Sequence, residues 1–407
     1  MRVLVITQYY KPERFRINDL VDWFAEQGHE MVVLTGMPNY PTGRLFSGYG
    51  LRGPWYEKKG YITVIRVPLI VRGKSGGLRL IFNYLSFAVS AIVLGVWRCR
   101  GRYDAVFVHA PSPITVALPG LLAGWIKRAP VFLWVLDLWP ETLSAVGGIR
   151  NQFLLRSVNW LVSFVYRYSS KILVQSLGFI SAVMSHGISR GNVLYFPSWA
   201  EELFTNSVSD DCRSLDIPEG FRLVFTGNIG AAQDFGAILD AAENLRDRKE
   251  IQWIIVGDGR LAEWVRDEIV KRELVDTVHL MGAYPLDQMP IFLRVADAVL
   301  ITLKKDSFIS LTIPAKLQSY LAMGRPIVAM MDGEGAKIIN QSNAGFVVPA
   351  GDAVKLARAV NSMVMLENGQ RETLGSNGRK YYETHFERVM LFKRLEAWLA
   401  GRERVGE

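Results

Sequence analysis

Short apolar runs rich in β-branched residues alternate with helix-length segments along this chain, and this alternation constrains the fold more than any other feature. In the first half, the predicted strands cover residues 3–7, 31–35, 62–67, 105–109, 131–136, 172–175 and 193–196. In the second half, they cover residues 222–227, 252–256, 278–281, 298–303, 327–330 and 345–348. Strands that alternate with helices in this way form parallel, doubly wound sheets. A chain of 407 residues is too long for one ordinary core, so we expect two α/β domains.

The boundary between the two domains is predicted from a change in pattern. Residues 200–219 lack apolar periodicity and carry Ser, Asp, Asn and Pro, which indicates a linker. We therefore assign one Rossmann-like domain to residues 1–199 and a second one to residues 220–387. A C-terminal segment, residues 388–407, begins with a last predicted helix.

Composition excludes several classes of protein. Hydrophobic residues make up 50% of the chain and charged residues 21%, which excludes a disordered protein. The only two cysteines, Cys99 and Cys212, build neither a disulfide framework nor a zinc site, which favours a reducing compartment. The first residues read as a strand rather than as a signal peptide. The net charge of +8 suits nucleic acid, an anionic membrane or an anionic substrate, but the sequence lacks zinc-finger, basic-zipper and RNA-recognition patterns.

Residues 78–97 are almost wholly apolar, and their polar exceptions recur at helical spacing: Arg79, Asn83, Ser86 and Ser90. Because predicted strands flank this helix, we interpret it as the crossover of a βαβ unit rather than as a membrane span. Basic residues lie on both sides of it, namely Arg72, Lys74, Arg98, Arg100 and Arg102. A second apolar helix, residues 153–168, carries Arg156 and Arg167. Apolar surface next to basic residues favours binding to an anionic lipid surface.

Residues 313–329 predict a helix whose N-terminus forms part of an anion-binding site. Pro314 suits the first helical turn, and Gly324 suits the position just past the helix end. The polar loop 304–312 precedes the helix and follows an apolar strand. The N–H groups and the dipole of a helix N-terminus favour anions. Nearby lysines indicate that this anion is a phosphate: Lys304, Lys305 and Lys316.

The same segment, taken with four others in order along the chain, resembles glycosyltransferase family 4. The other four are residues 28–43, 135–141 (Val-Leu-Asp-Leu-Trp-Pro-Glu), 196–204 and 227–233 (Gly-Asn-Ile-Gly-Ala-Ala-Gln). They are similar to bacterial N-acetyl-L-fucosamine transferases of O-antigen and capsule synthesis. The resemblance implies a GT-B fold, in which two doubly wound Rossmann-like domains face each other across a cleft. It also implies that the first domain binds the acceptor and that the last helix returns to that domain.

The resemblance assigns the donor nucleotide to the second domain. The family usually carries Arg and Lys where this chain has Asn228 and Gln233, and its two glutamates fall at Leu311 and Ser319. Positive charge for the diphosphate must therefore come from lysines. The alternative interpretation is that the lysines are ordinary exposed charges and that the glycine segments are ordinary turns. The predicted donor-binding residues are Gly227, Asn228, Gln233, Tyr284, Lys304, Thr312, Lys316 and Ser319.

The reacting groups are expected at strand ends of the first domain. His109 stands where related transferases have a histidine beside the reacting sugar, and a packed structural histidine is the alternative. Asp137 and Glu141 are predicted to bind acceptor hydroxyls as catalytic groups, and a helix N-cap is the alternative for Asp137. Arg14 and Arg16 suit a lipid diphosphate acceptor, although an exposed loop explains them equally.

Chemically, the sequence predicts a metal-independent enzyme without a cofactor, because it lacks Asp-x-Asp and His/Cys patterns. The resemblance implies a retaining transferase that moves an N-acetylated amino-deoxysugar, such as N-acetyl-L-fucosamine, from UDP to a polyprenyl-diphosphate-linked glycan. We expect a cytoplasmic protein that associates peripherally with the inner face of the cytoplasmic membrane and does not bind nucleic acid. A UDP-sugar 2-epimerase of the same fold and a non-catalytic assembly scaffold are the alternatives.

Overall fold

A computed structural model describes residues 1–50, 52–73, 77–145, 151–205 and 217–402. The chain divides into two compact units. The first contains Met1–Pro197 and the described residues from Val389 onward, and the second contains Ser198–Arg388. Lys74 and the middle of the predicted linker, residues 206–216, lie outside the described residues.

The first unit is built on an eight-stranded sheet. Its strands are β1 (Arg2–Ile6), β2 (Glu30–Gly36), β3 (Tyr56–Lys59), β4 (Ile62–Val67), β5 (Ala105–Ala110), β6 (Val131–Val135), β7 (Lys171–Val174) and β8 (Val193–Tyr195). Their spatial order is β3-β4-β2-β1-β5-β6-β7-β8, and only the edge strand β3 pairs in the antiparallel direction among the described pairings. The central strands are buried on both faces, because helices cover the sheet on both sides.

The helices of the first unit follow the strands in the expected alternation. They are α1 (Arg16–Glu26), α2 (Gly77–Ser90), α3 (Val96–Arg98), α4 (Ala117–Lys127), α5 (Glu141–Ala145), α6 (Gln152–Tyr168) and α7 (Gly178–Met184). A π-helical turn, Ala91–Gly95, joins α2 to α3. This long apolar helix connects β4 to β5 within one parallel sheet, which confirms the predicted crossover. By length and composition alone it could also cross a membrane.

The second unit repeats the pattern around a six-stranded, fully parallel sheet. Its strands are β9 (Phe221–Thr226), β10 (Ile251–Val256), β11 (Val278–Gly282), β12 (Ala298–Thr302), β13 (Ile327–Met330) and β14 (Gly345–Val348), in the spatial order β11-β10-β9-β12-β13-β14. Its helices are α8 (Phe235–Asn244), α9 (Ala262–Lys271), α10 (Met289–Val295), α11 (Ala315–Ala322), α12 (Glu334–Ser342), α13 (Ala353–Met365) and α14 (Asn368–His385).

The last helix, α15 (Arg388–Leu399), belongs almost entirely to the first unit. The ring of Phe392 lies 5.4 Å from that of Trp23 on α1. The carboxylate of Glu396 lies 3.1 Å from Nε2 of His29. These contacts close the first unit with a piece of chain that is remote in sequence.

Each sheet has one point at which the chain reverses its direction of growth. In the first sheet β1 lies between β2 and β5, so the reversal falls between β1 and β5. In the second sheet it falls between β9 and β12. The loops after these strands diverge to opposite faces and leave a crevice at the carboxyl edge, where ligands bind in doubly wound folds.

Candidate functional site

The switch point of the second unit is lined by two glycine turns that pack against each other. A Cβ atom at Gly257, after β10, would lie 1.8 Å from the carbonyl oxygen of Gly227, after β9. The backbone N–H of Gly227 donates to Val256, and that of Ile229 donates to Asp258. Only residues without side chains permit this approach, which leaves the backbone at the strand ends accessible to a phosphate.

Lys316, on the first turn of α11, points its ammonium group into this turn. A Cβ atom at Gly227 would lie 3.3 Å from Nζ of Lys316. The Nζ atom lies 3.6 Å from the centre of the Phe225 ring, is buried, and makes no hydrogen bond within the described part of the chain. Burial lowers the pKa of Lys316 to about 7. A buried cation costs free energy unless it meets an anion, so this arrangement favours an anionic ligand beside Gly227.

The position of α11 is fixed by Tyr320, one helical turn after Lys316. The hydroxyl of Tyr320 accepts the backbone N–H of Thr226 at 2.9 Å and lies 3.0 Å from the Thr226 hydroxyl. The residue was not predicted as part of the site, although its i+4 spacing from Lys316 places both on one helical face. Tyr320 therefore holds the end of β9 and the lysine in register.

Two further predicted donor residues, Asn228 and Gln233, line the same turn. Asn228 is exposed, and its amide lies beside Gly230 and Gly259. The side-chain oxygen of Gln233 is buried without a hydrogen bond in the described structure. The backbone carbonyl oxygen of Gln233 accepts a hydrogen bond from the Thr302 hydroxyl at 2.5 Å. Both can offer polar groups, but neither supplies the charge that the related Arg and Lys carry.

The remaining predicted donor residues occupy different surroundings. The side chain of Lys304 is exposed, while its backbone N–H donates to Ala232. The hydroxyl of Thr312 donates to the Ile309 carbonyl at 2.8 Å, which ties it to its own loop. Ser319 is buried within α11, and the ring of Tyr284 packs against Phe292 with ring centroids 4.8 Å apart. Lys316 is therefore the predicted donor residue whose surroundings most clearly favour a ligand.

In the first unit, His109 is the buried, penultimate residue of β5. Its Nδ1 lies 3.0 Å from the hydroxyl of Thr7, which itself lies 3.0 Å from the carbonyl oxygen of Tyr9. Since the hydroxyl has one proton and gives it to that carbonyl, Nδ1 of His109 donates to the hydroxyl and Nε2 is the acceptor. Burial lowers the pKa of His109 to about 3, so the imidazole is neutral at physiological pH.

Asp137 and Glu141 follow β6 in a loop and at the start of α5. Burial raises the pKa of Asp137 to about 6, and within the described part of the chain its carboxylate accepts no hydrogen bond. The N-cap alternative for Asp137 thus receives no support. Glu141 lies close enough to His186 and Tyr166 to raise their pKa values, and Asp137 raises the pKa of Tyr84.

The loop after β1 holds the predicted acceptor residues Arg14 and Arg16. Arg14 is exposed, and Arg16 begins α1 with its Nε buried. Between β1 and these arginines, Glu13 is buried and accepts the backbone N–H groups of Tyr10, Asn39 and Tyr40. Burial raises the pKa of Glu13 to about 7. The carboxylate of Glu13 therefore joins the loops after β1 and β2.

An extended apolar face lies on α2, α4 and α6 of the first unit, and α4 packs against both of the others. Two polar residues of α2 point toward the preceding loop: Asn83 donates to the Ile70 carbonyl, and Ser86 accepts the Ile70 N–H. The outward side chains are apolar, and Trp125 and Phe153 are exposed by 79% and 81%. We call this the three-helix face, and its exposed members include Leu78, Phe82, Val89, Trp125, Phe153, Trp160 and Tyr168.

The described residues contain no group of three or more His, Cys, Asp or Glu side chains that could hold a metal ion.

Two families match the sequence. Residues 14–199 match the glycosyl transferase 4-like domain, and residues 220–365 match the glycosyl transferases group 1 family.

Individual relatives agree with these matches. The chain is 27% identical to the putative colanic acid biosynthesis glycosyl transferase WcaI of Escherichia coli K12, over 80% of this chain and 82% of WcaI. It is also 27% identical to the probable glycosyltransferase WbjE of Pseudomonas aeruginosa, over 79% and 80% of the two chains.

Among solved structures, Anabaena HepE in complex with UDP superposes with a TM-score of 0.72 and 16% identity, covering 98% of this chain and 100% of HepE. This likeness confirms the predicted fold, with two doubly wound α/β domains of GT-B type. The two domain matches confirm the predicted transferase. The chain therefore belongs to the glycosyltransferases that combine a glycosyl transferase 4-like domain with a group 1 domain.

Proposed function

We propose that this glycosyltransferase is a retaining, metal-independent enzyme of O-antigen or capsular polysaccharide synthesis. It moves an N-acetylated amino-deoxysugar, such as N-acetyl-L-fucosamine, from UDP to a polyprenyl-diphosphate-linked saccharide. The observation that carries the proposal is the buried, unpaired ammonium of Lys316 beside Gly227 at the β9/β12 switch point. A diphosphate is the anion that this position fits, because backbone N–H groups and a buried cation converge there.

The role of Lys316 is to stabilise the leaving diphosphate. As the bond between the sugar C1 and the β-phosphate oxygen breaks, negative charge accumulates on the diphosphate. A preorganised cation in a dry site stabilises that charge more strongly than a solvated one. Lys304 and Lys305, exposed on the loop after β12, add positive potential without a fixed contact. In this arrangement lysines supply the positive charge that a metal ion supplies in metal-dependent transferases.

Peripheral contact with a membrane is part of the proposal, because the acceptor is a lipid. The three-helix face exposes aromatic and aliphatic side chains on neighbouring helices, which soluble surfaces rarely do. Exposed basic residues border it, namely Arg98, Arg100, Arg128, Arg156 and Arg167. An apolar face with a basic border fits the interface of an anionic bilayer.

Calorimetric titration of UDP, GDP and ADP in EDTA tests the donor site. We expect UDP to bind without metal and more tightly than GDP or ADP. Lys316→Ala should weaken UDP binding roughly 10- to 100-fold, since a hydrogen bond to a charged group contributes about 1.5–3 kcal/mol. Lys249→Ala is the matched control, because Lys249 is an exposed lysine that pairs with Asp276 at the opposite edge of the sheet.

Two results would contradict this proposal. One is the absence of UDP binding to the wild-type chain, and the other is a binding constant that Lys316→Ala leaves unchanged. Stereochemistry needs a separate measurement, for which the anomeric coupling constant of the product is read by NMR. Retention predicts that donor and product share one anomeric configuration.

A further inference from the structure

Tyr9, Arg72 and Tyr84 meet near the β1/β5 switch point of the first unit, and the donor site does not use them. Tyr9 follows β1, Arg72 follows β4, and Tyr84 lies on α2. Each tyrosine influences the pKa of the other, and Arg72 lowers the pKa of both. This is the carboxyl edge of the sheet, where a doubly wound domain binds its ligand.

The ring of Tyr9 is fixed, and its hydroxyl lies beside the side chains of Arg72 and Tyr84 without a well-aligned hydrogen bond among the described residues. The ring stacks on Phe15 at 5.0 Å and lies 5.6 Å from Tyr40. Tyr9 is 4% exposed, and its buried hydroxyl forms no hydrogen bond of good geometry within the described structure. A buried hydroxyl without a hydrogen bond costs free energy, so this group favours a polar ligand that reaches it.

Arg72 is positioned by a relay of backbone contacts. Its backbone N–H donates to Oδ1 of Asn39 at 3.1 Å, and the N–H of Asn39 donates to Oε1 of Glu13 at 2.8 Å. Its guanidinium lies 5.2 Å from the centre of the Tyr40 ring. The loops after β1, β2 and β4 thus hold one cation against the aromatic cluster, which reduces the entropy lost when an anion binds.

Tyr84 lies within electrostatic reach of a positive and a negative group. Arg72 lowers its pKa and Asp137 raises it, while burial is the largest effect and raises it. Asp137 follows β6, and Arg72 follows β4 on the other side of the switch point. Arg72 and Asp137 therefore supply one positive and one negative charge that both act on the Tyr84 hydroxyl.

We propose that Arg72, with the hydroxyls of Tyr9 and Tyr84, binds the diphosphate of the acceptor lipid. Asp137 then accepts a hydrogen bond from the saccharide hydroxyl that receives the sugar. This inference rests on the proposed function, in which the acceptor is a polyprenyl-diphosphate-linked saccharide. It moves the main phosphate contact from Arg14, which is exposed, to Arg72, whose surroundings are preorganised.

Geranyl diphosphate serves as the probe, titrated calorimetrically in EDTA into the full chain already saturated with UDP. UDP occupies the donor site, so heat from the probe reports a second diphosphate site. Geraniol, which lacks the diphosphate, measures the contribution of the prenyl chain alone. We expect Arg72→Ala to weaken the affinity for geranyl diphosphate at least about tenfold, since one charge-assisted contact is lost. The affinities for geraniol and UDP should stay unchanged.

Lys59→Ala is the matched control, because Lys59 is exposed at the end of the edge strand β3 and pairs with Ile62 at the start of β4. Tyr84→Phe removes one hydroxyl with little change in shape, so it decides the question if Arg72→Ala fails to fold. It should weaken geranyl diphosphate about threefold or more, since one hydrogen bond is lost.

The inference is overturned if UDP-saturated wild type does not bind geranyl diphosphate. It is equally overturned if Arg72→Ala and Tyr84→Phe both bind it as wild type does. The UDP isotherm is recorded first and separately, so a failure of the donor site is distinguished from a failure of this second site.

Discussion

The hydroxyl of Tyr320 accepts the backbone N–H of Thr226 at 2.9 Å, and it thereby joins α11 to the last residue of β9. Both residues are buried. Lys316 lies one turn earlier on α11, and Gly227 directly follows Thr226. One hydrogen bond therefore sets the distance between the cation and the glycine turn that together form the proposed donor site.

Tyr320→Phe should weaken both the fold and the donor site. The substitution leaves the N–H and the hydroxyl of Thr226 without their partner, at a cost of about 1–3 kcal/mol in the free energy of unfolding. Urea unfolding measures this loss, and titration measures a weaker affinity for UDP. Tyr381→Phe is the control, because the hydroxyl of Tyr381 makes an exposed bond to Gln341. Equal UDP affinity in Tyr320→Phe and wild type would show that the hydrogen bond between Tyr320 and Thr226 is not needed to position α11.

UDP affinity should depend on pH through Lys316, whose pKa burial lowers to about 7. Below pH 7 the amine is charged and binding is at full strength. Above pH 7 the free protein loses this proton, and a diphosphate restores it because an opposite charge favours the ammonium. Affinity should thus fall as pH rises from 7 to 9, and binding at pH 8 should take up protons.

Calorimetry in buffers of different ionisation enthalpy measures the proton uptake. Lys316→Ala is the reference, because protonation of UDP itself contributes equally to the titrations of the variant and of wild type. The variant should bind weakly and lose the pH dependence above pH 7. A wild-type affinity that is constant between pH 7 and 9 would contradict this account of Lys316.

Gly257→Ala should disrupt the donor turn, because its Cβ would lie 1.8 Å from the Gly227 carbonyl oxygen. Backbone must move to relieve this contact, at a cost of about 1–3 kcal/mol in stability. Thermal unfolding and UDP titration should both show a loss. Gly369→Ala on α14 is the control, because nothing lies within 4 Å of a Cβ there. Comparable behaviour of the two variants would rule out the close packing of the glycine turns.

The three-helix face should bind vesicles that contain phosphatidylglycerol. Trp125→Ser and Phe153→Ser each remove an exposed ring, and burying such a side chain contributes about 1.5–3 kcal/mol, so each should weaken vesicle binding roughly tenfold. Trp264→Ser, an exposed ring on α9 of the second unit, is the matched control. Cosedimentation gives the partition constants. If wild type stays in the supernatant, or if all three variants partition like it, the face does not contact lipid.

Most of the fold was predictable because its strands are buried on both faces. The predicted strands of both sheets match the observed ones to within one residue at either end. The exception is β3 (Tyr56–Lys59), which was not predicted. Three of its four residues are exposed and three are charged, so it lacks an apolar signal and forms only through its antiparallel pairing with β4.

The candidate site was predictable in its residue types but not in its contacts. The helix start placed Lys316 near a phosphate site, yet only the structure shows that its Nζ is buried against Phe225. Periodicity predicted a polar stripe on α2 but not its direction, because an inward stripe and an outward stripe share one spacing. Glu13 and Arg72 gained their roles from loops that are distant in sequence, which local patterns do not encode.

The last helix has a consequence for recombination. Because α15 contacts Trp23 and His29, the first unit is assembled from both ends of the chain, and the second unit is an insertion between them. A hybrid enzyme that exchanges the second unit of this protein must therefore be joined at two places, near Pro197 and near Arg388. A single junction would pair the terminal helix of one parent with the α1 surface of another, and the mismatch would fall on the unit that was meant to stay unchanged.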